Sequence, residues 1–433
     1  MEIDKEGLLY IGGLSVKELV KNHGTPLLVI DEEEFRGNIK SYKQGFEENY
    51  NDFRIAYGSK AFLNRSICRI LAEEGLALDV VSGGELYIAL AGEFPPEEMF
   101  FHGNNKDQKE LEFAIDNKIG RFMIDNRREA RLIDKLAAER SRKVKAILRI
   151  IPGIEAHTHE YIMTGHIDSK FGVSIDGGQA LSLIDKIAKL KNIQLMGLHA
   201  HIGSQIFDTE SYVKLIEIMF AFMNKVREQK GITLNQLDLG GGLGISHIQG
   251  EKAPSIEKFI VRIVESIKNE AADYNYPLPE VIVEPGRSLI GTAGTTLYTV
   301  GAIKQVPEGS KYIAIDGGMT DNIRPSLYNA EYEACLANRC LDAGEEMVTI
   351  AGKCCESGDI LIENIQLPEA REGDILAVPS TGAYTYSMAS NYNGLPRPAV
   401  VLVKDGQVRL INRRENYQDL LRLDVVPPDL EGE

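Results

Sequence analysis

One pattern of apolar and polar residues repeats along the chain from about residue 53. A short apolar run ends in Gly, Ser, Asn or His, and a segment whose apolar residues recur at three- and four-residue steps follows it. The runs predict β-strands, and the segments between them predict amphipathic helices, most clearly at 127–141, 210–229 and 255–274. Eight runs predict strands, at residues 53–57, 76–81, 99–103, 121–125, 144–150, 193–201, 234–240 and 281–286.

Eight strand-and-helix units within about 235 residues predict a (β/α)8 barrel, which typically needs roughly 250 residues. A doubly wound open sheet is the alternative, because a count of strands does not establish closure. After Arg287 the pattern changes to β-rich runs separated by turn signals, at residues 295–303, 312–316, 347–352, 374–379 and 399–403. These runs predict a second, mainly antiparallel β domain.

The predicted domain organisation has three segments. Residues 1–35 hold two apolar runs, at 8–13 and 26–31, which we expect to join the β domain. Residues 36–287 form the barrel, and residues 288–433 form the C-terminal β domain.

Composition then narrows the function classes. The formal net charge of −16 argues against nucleic acid as a partner and disfavours an anionic membrane surface. No apolar run approaches the roughly 20 residues that a membrane span needs, and the acidic N-terminus does not resemble a signal peptide. Five scattered cysteines do not make a disulfide framework. We therefore expect a cytoplasmic protein with reduced thiols.

Residues suited to catalysis or ligand binding follow four of the predicted strands. Barrel enzymes carry their active sites at the C-terminal ends of the strands, so these residues would lie on one face. They are Lys60 after the first strand, His199 and His201 at the sixth, Gly240, Gly241, Gly242 and Gly244 after the seventh, and Glu284, Gly286 and Arg287 at the eighth.

The glycine run after the seventh strand predicts a phosphate site, because glycines let backbone N–H groups approach an anion closely. A simple tight turn is the alternative, and no Gly-Lys-Ser/Thr follows that would indicate a nucleotide loop. Lys60 is either an ordinary solvated lysine or a mouth lysine that forms a Schiff base. A phosphate loop and a Schiff-base lysine together indicate pyridoxal phosphate.

Glu284 and His201 acquire roles beside that cofactor. A carboxylate at a strand end can keep a pyridine nitrogen protonated, although a salt bridge from Glu284 to Arg287 is the alternative. His201 could stack on the cofactor ring or be a buried structural histidine. The pairs His199/His201 and His157/His159 could each point into one site, but without a third spaced ligand we predict no metal.

Two adjacent cysteines, Cys354 and Cys355, stand in the stretch AGKCCESGD. A redox pair is disfavoured, because a disulfide between neighbours is strained and the cytoplasm would reduce it. Taken alone, the stretch is typical of a turn in a β domain. Beside a cofactor site, one of its thiols could instead act as an acid, and an unperturbed pKa of about 8.5 keeps a thiol protonated at neutral pH.

Taken together, these motifs resemble those of the diaminopimelate decarboxylases, which belong to the alanine-racemase-like, fold-type III pyridoxal-phosphate decarboxylases. The resemblance extends from about residue 7 to residue 412, and some motifs are shared with ornithine and arginine decarboxylases. The motifs are AYGSKA, LDVVSGGEL, FHGNNK, EYIMTGHIDSKFG, GLHAHIGSQI, LDLGGGLGI, VEPGRS, DGGMTDNIRPSLY, CCESGD and GAYTYSMASNYN.

The resemblance implies a role for each motif residue. Lys60 would carry pyridoxal phosphate, His201 would lie against its ring and Glu284 would meet its pyridine nitrogen. Cys355 would donate the proton after CO2 leaves. The phosphate would be surrounded by Ser204, Gly240, Gly241, Gly242, Gly286, Arg287 and Tyr384. The substrate would contact Arg287, Arg324, Tyr328, Glu356 and Tyr384.

The resemblance also implies the reaction, which is the decarboxylation of meso-2,6-diaminopimelate to L-lysine and CO2, the last step of lysine biosynthesis. The family works as a homodimer in which Cys355 and Glu356 would reach the partner subunit's cofactor. Three residues depart from the usual family pattern without removing a functional group. They are Ala200, where cysteine is common, Gly58, where alanine is more usual, and Thr385, where glycine is usual.

The substrate can also be argued from charge. Ornithine ends in a bare amine and needs an acidic pocket, whereas diaminopimelate ends in a second carboxylate that suits the arginine fork. Arg287 and Arg324, with Tyr328 one helical turn further on, supply that chemistry. The alternatives are a decarboxylase for another amino acid or a carrier-bound glutamyl group, an amino-acid racemase, and a non-enzymatic pyridoxal-phosphate carrier.

Overall fold

The computed structural model describes residues 1–154 and 169–430. The chain divides into two compact units, of which the first comprises Met1–Phe35, His247–Gly250 and Thr292–Glu433. The second comprises Arg36–Ser246 and Glu251–Gly291. The histidine pair His157/His159 and most of the EYIMTGHIDSKFG motif lie outside the described residues.

The first unit begins with a small antiparallel sheet of three strands, β1 (Glu2–Ile3), β2 (Leu9–Ile11) and β3 (Leu14–Ser15). Helix α1 (Val16–His23) follows, and the Ser15 hydroxyl caps it by accepting a hydrogen bond from the Glu18 N–H. Strand β4 (Leu27–Asp31) is buried along its whole length. The apolar run at 8–13 thus contributes to a separate small sheet, whereas the run at 26–31 enters the main sheet of this unit.

The second unit contains eight parallel strands that close into a barrel. Each strand pairs with its neighbour in parallel register, and β8 pairs with β9 to complete the ring. The predicted barrel is confirmed, and the open-sheet alternative was wrong. The strands are β5 (Phe53–Gly58), β6 (Ala77–Val80), β7 (Met99–Phe101), β8 (Arg121–Ile124), β9 (Val144–Ile151), β11 (Ile193–His199), β12 (Gln236–Asp238) and β13 (Glu280–Val283), with a short β10 (Val173–Ser174) paired to the end of β9.

Helices separate most of these strands in the chain, as the three- and four-residue apolar spacing predicts. Several begin at a side-chain cap, for example Ser255 before α9, whose hydroxyl accepts a hydrogen bond from the Lys258 N–H. They are α2 (Glu32–Asn49), α3 (Arg65–Glu73), α4 (Gly83–Ala91), α5 (Gln108–Asp116), α6 (Arg127–Glu139), α7 (Gln179–Ile187), α8 (Glu210–Lys230), α9 (Ile256–Asp273) and α10 (Arg287–Ile290).

The two ends of the barrel differ in chemistry. At the strand starts, charged side chains form an ion-pair network in which Glu280 contacts Arg54 at 2.5 Å and Arg121 at 3.2 Å. Above this network the interior is apolar and contains Ala56, Ala77, Phe100, Met123, Ile147 and Ile282. The polar network at the strand starts stabilises the barrel, which leaves the opposite end for chemistry.

The rest of the first unit is mainly antiparallel, as predicted. Its longest strand, β14, pairs antiparallel with β4, β15 and β19, while β15–β17 and β4–β20 are the parallel pairs. The elements are β14 (Gly294–Gln305), β15 (Lys311–Ile315), α11 (Arg324–Tyr328), β16 (Cys335–Leu336), β17 (Glu346–Ala351), β18 (Ile360–Leu367), β19 (Ile375–Val378), β20 (Ala399–Lys404), β21 (Gln407–Asn412) and α12 (Tyr417–Leu420). Among the helices of the described residues, none is both long enough and apolar enough to cross a membrane.

We expect Phe100→Ala to lower the free energy of unfolding by about 3–5 kcal/mol, because it removes a fully buried ring from the barrel interior. Denaturant unfolding of the purified protein measures the change. Tyr87→Ala on α4 is the matched control, since Tyr87 is 66% exposed and its loss should change stability by less than about 0.5 kcal/mol. Equal effects of the two substitutions would contradict the packing described for the barrel interior.

Candidate active site

Residues predicted to carry chemistry follow the C-terminal ends of the barrel strands. Lys60 lies in a short 3-10 turn, Ser59–Ala61, directly after β5, and its side chain is exposed. His199 is the last residue of β11, and Glu284 directly follows β13. Because β13 pairs with β5, the ends that carry Glu284 and Lys60 are neighbours in the ring.

The glycine run after β12 packs closely against the backbone at the end of β13. A side chain at Gly241 would place its Cβ 2.1 Å from the carbonyl oxygen of Glu284, so only glycine fits there. Gly240 has a φ of +64°, and its carbonyl accepts a hydrogen bond from the Glu284 N–H at 2.8 Å. The glycines therefore lock this loop against the end of β13 and leave a cradle without side chains.

The loop after β11 borders the same cradle. Gln205 makes two hydrogen bonds to the backbone of Ile245, with its Nε2 at 2.6 Å from the carbonyl and its Oε1 at 3.2 Å from the N–H. The Ser204 hydroxyl lies 3.2 Å from Nη2 of Arg287, which is itself 5% exposed. A hydroxyl and a guanidinium beside a glycine loop are suited to an oxyanion such as phosphate.

His201 joins the glycine loop to the mouth of the barrel. Its Nδ1 accepts a hydrogen bond from the Gly241 N–H at 3.2 Å. Burial holds the pKa of His201 well below its usual value, and the positive charges of Lys60 and Arg149 lower it further. The ring is therefore neutral at pH 7, as suits a residue that lies against an aromatic cofactor.

Glu284 contacts two histidines. Its Oε1 lies 2.7 Å from Nε2 of His102, and its Oε2 lies 3.2 Å from Nε2 of His199. The two imidazole rings meet edge to face with centroids 5.0 Å apart. Each oxygen of the Glu284 carboxylate therefore faces a histidine, and the salt bridge from Glu284 to Arg287 stays a prediction.

Sequence reasoning missed His102. It directly follows β7 in the run MFFHG, so the strand-end rule that selected Lys60 and Glu284 would also have selected it. The argument against a metal assumed that no third ligand was near His199, and that premise was wrong. Ligand atoms of His102, His199 and Glu284 all lie within 4.8 Å of one another.

Arg149 was missed as well. It lies in β9, where its guanidinium packs 4.4 Å over the ring of Phe171, and its charge acts on His199 and His201. A charged residue inside the apolar second half of the strand, ILRII, was the available signal.

In the first unit, Arg324 begins the one-turn helix α11. Its guanidinium lies over two tyrosine rings, 5.2 Å from the centroid of Tyr328 and 5.6 Å from that of Tyr384. Arg324 is 7% exposed, and its Nε has no hydrogen-bond partner among the described residues. Tyr384 has a φ of +62°, a costly conformation for a non-glycine residue that is common at ligand sites.

The CCESGD loop separates its two cysteines. Cys355 is exposed, whereas Cys354 is half-buried and burial raises the pKa of its thiol to about 11. The carboxylate of Asp359 accepts hydrogen bonds from the Cys354 N–H at 2.8 Å and from the Met319 N–H at 2.6 Å. Asp359 thus joins the loop that carries Cys355 to the loop that leads into α11.

The three departures from the family pattern have little structural consequence. A side chain at Gly58 would meet Gly286 at 3.7 Å, which is ordinary van der Waals contact, so alanine would fit there too. Ala200 is fully buried. The hydroxyl of Thr385 donates a hydrogen bond to the carbonyl of Thr381, and Thr385 is 2% exposed.

Comparisons with known proteins extend the resemblance to whole chains. The family "Pyridoxal-dependent decarboxylase, pyridoxal binding domain" matches residues 36–291. The diaminopimelate decarboxylase of Bacillus subtilis is 48% identical over 98% of this chain and 96% of its own length, and that of Staphylococcus aureus is 45% identical over 97% and 98%. The crystal structure of diaminopimelate decarboxylase from M. jannaschii in complex with L-lysine superimposes with a TM-score of 0.92 at 36% identity, covering 99% of this chain and 98% of that one.

A buried acid in the loop before α11, Asp321, makes stability depend on pH. Burial, together with the nearby charges of Asp359 and Asp316, raises the pKa of Asp321 from 3.8 to about 7. Because the folded-state pKa exceeds the unfolded one, stability is full below about pH 4 and falls as pH rises to 7, by about 4 kcal/mol at about 1.4 kcal/mol per pKa unit.

We expect Asp321→Asn to remove this part of the pH dependence. Asparagine can still accept from the Gly318 N–H and can donate to the Tyr298 hydroxyl, the two groups that contact Asp321. Denaturant unfolding at pH 4 to 8 should show the variant gaining stability over the wild type as pH rises. Asp405→Asn, in an exposed turn, is the control. A constant difference between Asp321→Asn and wild type across this range would contradict the assignment.

Proposed function

The chain belongs to the pyridoxal-dependent decarboxylase family, and we propose that it is a diaminopimelate decarboxylase. The reaction would convert meso-2,6-diaminopimelate to L-lysine and CO2, the last step of lysine biosynthesis. The observation that carries the choice of substrate is the buried guanidinium of Arg324.

A buried guanidinium without a carboxylate partner is costly, and none of the ion pairs in the described residues involves Arg324. The rings of Tyr328 and Tyr384 hold its plane but do not neutralise its charge. A substrate carboxylate would neutralise it through the bidentate fork. Diaminopimelate has a second carboxylate at its non-reacting end, whereas ornithine has only an amine there.

The residues at the barrel mouth fit pyridoxal phosphate. Lys60 would bind its aldehyde, the Gly240–Gly242 cradle with Ser204, Gly286 and Arg287 would take its phosphate, and Glu284 would meet its pyridine nitrogen. Pyridoxal phosphate, when bound, accepts the electron pair that departing CO2 leaves behind. The side chain of His201, neutral because burial lowers its pKa, would cover one ring face without adding charge.

A proton must then reach the α-carbon of the product. Cys355 is the proposed donor, because its thiol is exposed and stands in a loop fixed by Asp359 and by the hydrogen bond from the Cys355 N–H to Asn393 at 2.7 Å. Glu356 is exposed beside it and would contact a substrate amino group. Exposure of both side chains in one chain agrees with a homodimer in which they serve the partner subunit's cofactor.

A decarboxylase for another amino acid is the remaining alternative, because it would share the cofactor residues of the barrel. It would not need a buried, uncompensated arginine in the first unit. A racemase would need a second base in place of Cys355, and a pyridoxal-phosphate carrier would not need the first unit.

We expect CO2 release from meso-diaminopimelate with kcat/KM roughly 10⁴-fold above that for ornithine or arginine, because a buried charge that the wrong substrate leaves unpaired discriminates strongly. Release of labelled CO2 by the purified enzyme with added pyridoxal phosphate measures it. Borohydride reduction and mass spectrometry should place the cofactor on Lys60. Comparable rates with ornithine would reject the substrate assignment but not the cofactor.

We expect substitutions at Arg324 and Cys355 to separate recognition from turnover. Arg324→Ala should raise KM by roughly 10- to 150-fold with kcat less affected, because a hydrogen bond to a charged group contributes about 1.5–3 kcal/mol. Arg324→Lys should be intermediate, since lysine keeps the charge but not the fork. Cys355→Ala should lower kcat by about 10²–10⁴.

Cys354→Ala is the matched control for the thiol and should change kcat by less than about threefold, since Cys354 is half-buried and has no assigned role. Steady-state kinetics with diaminopimelate would measure both constants. If Arg324→Ala mainly lowered kcat while Cys355→Ala mainly raised KM, the roles assigned to the two residues would have to be exchanged.

A further inference from the structure

Histidines from two different strand ends contact the carboxylate of Glu284. His102 approaches one carboxylate oxygen at 2.7 Å from the end of β7, and His199 approaches the other at 3.2 Å from the end of β11. The side chains of all three are almost inaccessible, with 4%, 0% and 6% exposure for His102, His199 and Glu284. The carboxylate therefore has little freedom to rotate.

The surroundings determine which buried acid carries the negative charge. Burial raises the pKa of Glu284, but the contacts with His102 and His199 outweigh burial and hold that pKa well below its usual value. Burial raises the pKa of Asp79 and Asp238 instead, and the charge of Glu284 raises both further. Negative charge is thus concentrated on Glu284.

The tautomer of His199 follows from the same arrangement. Burial lowers the pKa of His199 to about 4, so its ring is neutral at pH 7. A neutral ring has one N–H, and the carboxylate at 3.2 Å from Nε2 draws the proton to that nitrogen. His199 therefore donates to Glu284 without a net charge of its own.

We propose that His102 and His199 are positioning residues that hold the carboxylate of Glu284 aimed at the pyridine nitrogen of the cofactor. The proposal rests on the proposed function, because it assumes that pyridoxal phosphate binds at this barrel mouth. A carboxylate can accept about four hydrogen bonds, so two histidine contacts leave capacity for a protonated ring nitrogen. Neither histidine touches the cofactor in this proposal, and both act through Glu284.

A ligand that differs only at the ring nitrogen tests this directly. The apoenzyme would be titrated with pyridoxal phosphate and with 1-deazapyridoxal phosphate, in which CH replaces that nitrogen. Absorbance and fluorescence report the dissociation constants without any turnover. We expect wild-type apoenzyme to bind pyridoxal phosphate roughly 10- to 100-fold more tightly than the deaza compound, as one charge-assisted hydrogen bond predicts.

The ratio of the two dissociation constants, that of the deaza compound over that of pyridoxal phosphate, measures the contact at the ring nitrogen. His102→Leu and His199→Leu should each reduce this ratio by about tenfold, and the affinity for the deaza compound should stay unchanged. His199→Gln should retain much of the ratio, because its amide can place an N–H near the position of Nε2. Glu284→Gln should abolish the ratio, and adding His199→Leu to it should then have no further effect. His23→Leu, in α1 of the first unit, is the matched histidine control.

The outcomes are distinct. If either Leu variant weakened the binding of both ligands equally, the histidines would have only a structural role. If it left both affinities and their ratio unchanged, they would have no role in binding. Either result would overturn the proposal. If wild-type apoenzyme bound neither ligand, the proposed function itself would fail. Thermal melting of each variant distinguishes loss of folding from loss of binding, and the Gln variant keeps the test decisive if a Leu variant does not fold.

Discussion

Hydrogen bonding between β13 and β5 joins the last strand of the ring to the first, and the geometry at the barrel mouth depends on that closure. In a closed ring the first and last strands are neighbours, so β5 pairs with β13 and the ends carrying Lys60 and Glu284 adjoin. An open sheet would place those strands at opposite edges. Closure also brings His102 and His199, which are distant in sequence, onto the two oxygens of one carboxylate.

A buried carboxylate has a comparable organising role in the first unit. Asp359 accepts from the N–H groups of Met319 and Cys354, and the Ser326 hydroxyl of α11 donates to the adjoining Gly358 carbonyl at 2.7 Å. Two loops that are separate in sequence are thereby joined as one piece. The exposed thiol of Cys355 and the buried guanidinium of Arg324 consequently keep a fixed relation within the chain.

The sequence predicted strands and strand ends well, because these depend on local alternation and on a fold rule that needs no side-chain coordinates. It placed Lys60, His201 and the glycine run just after strand ends for the same reason. It did not identify the contacts of His102 and His199 with Glu284, because contacts between the ends of β7, β11 and β13 depend on closure of the barrel. Nor could it show that Arg324 is buried with no carboxylate partner among residues 1–154 and 169–430, since ion pairs are known only from tertiary structure.

Glu284 and Arg324 both carry buried charge, but they are stabilised differently. Two imidazoles offset the desolvation of Glu284, so this charge persists without a ligand. Tyrosine faces offset only part of the desolvation of Arg324, so its charge favours binding of an anion. A group that is already satisfied suits a resident cofactor, which has to be held through every turnover. A group that gains by binding suits a substrate carboxylate, which has to be captured and released, and this difference assigns the two charges to different ligands.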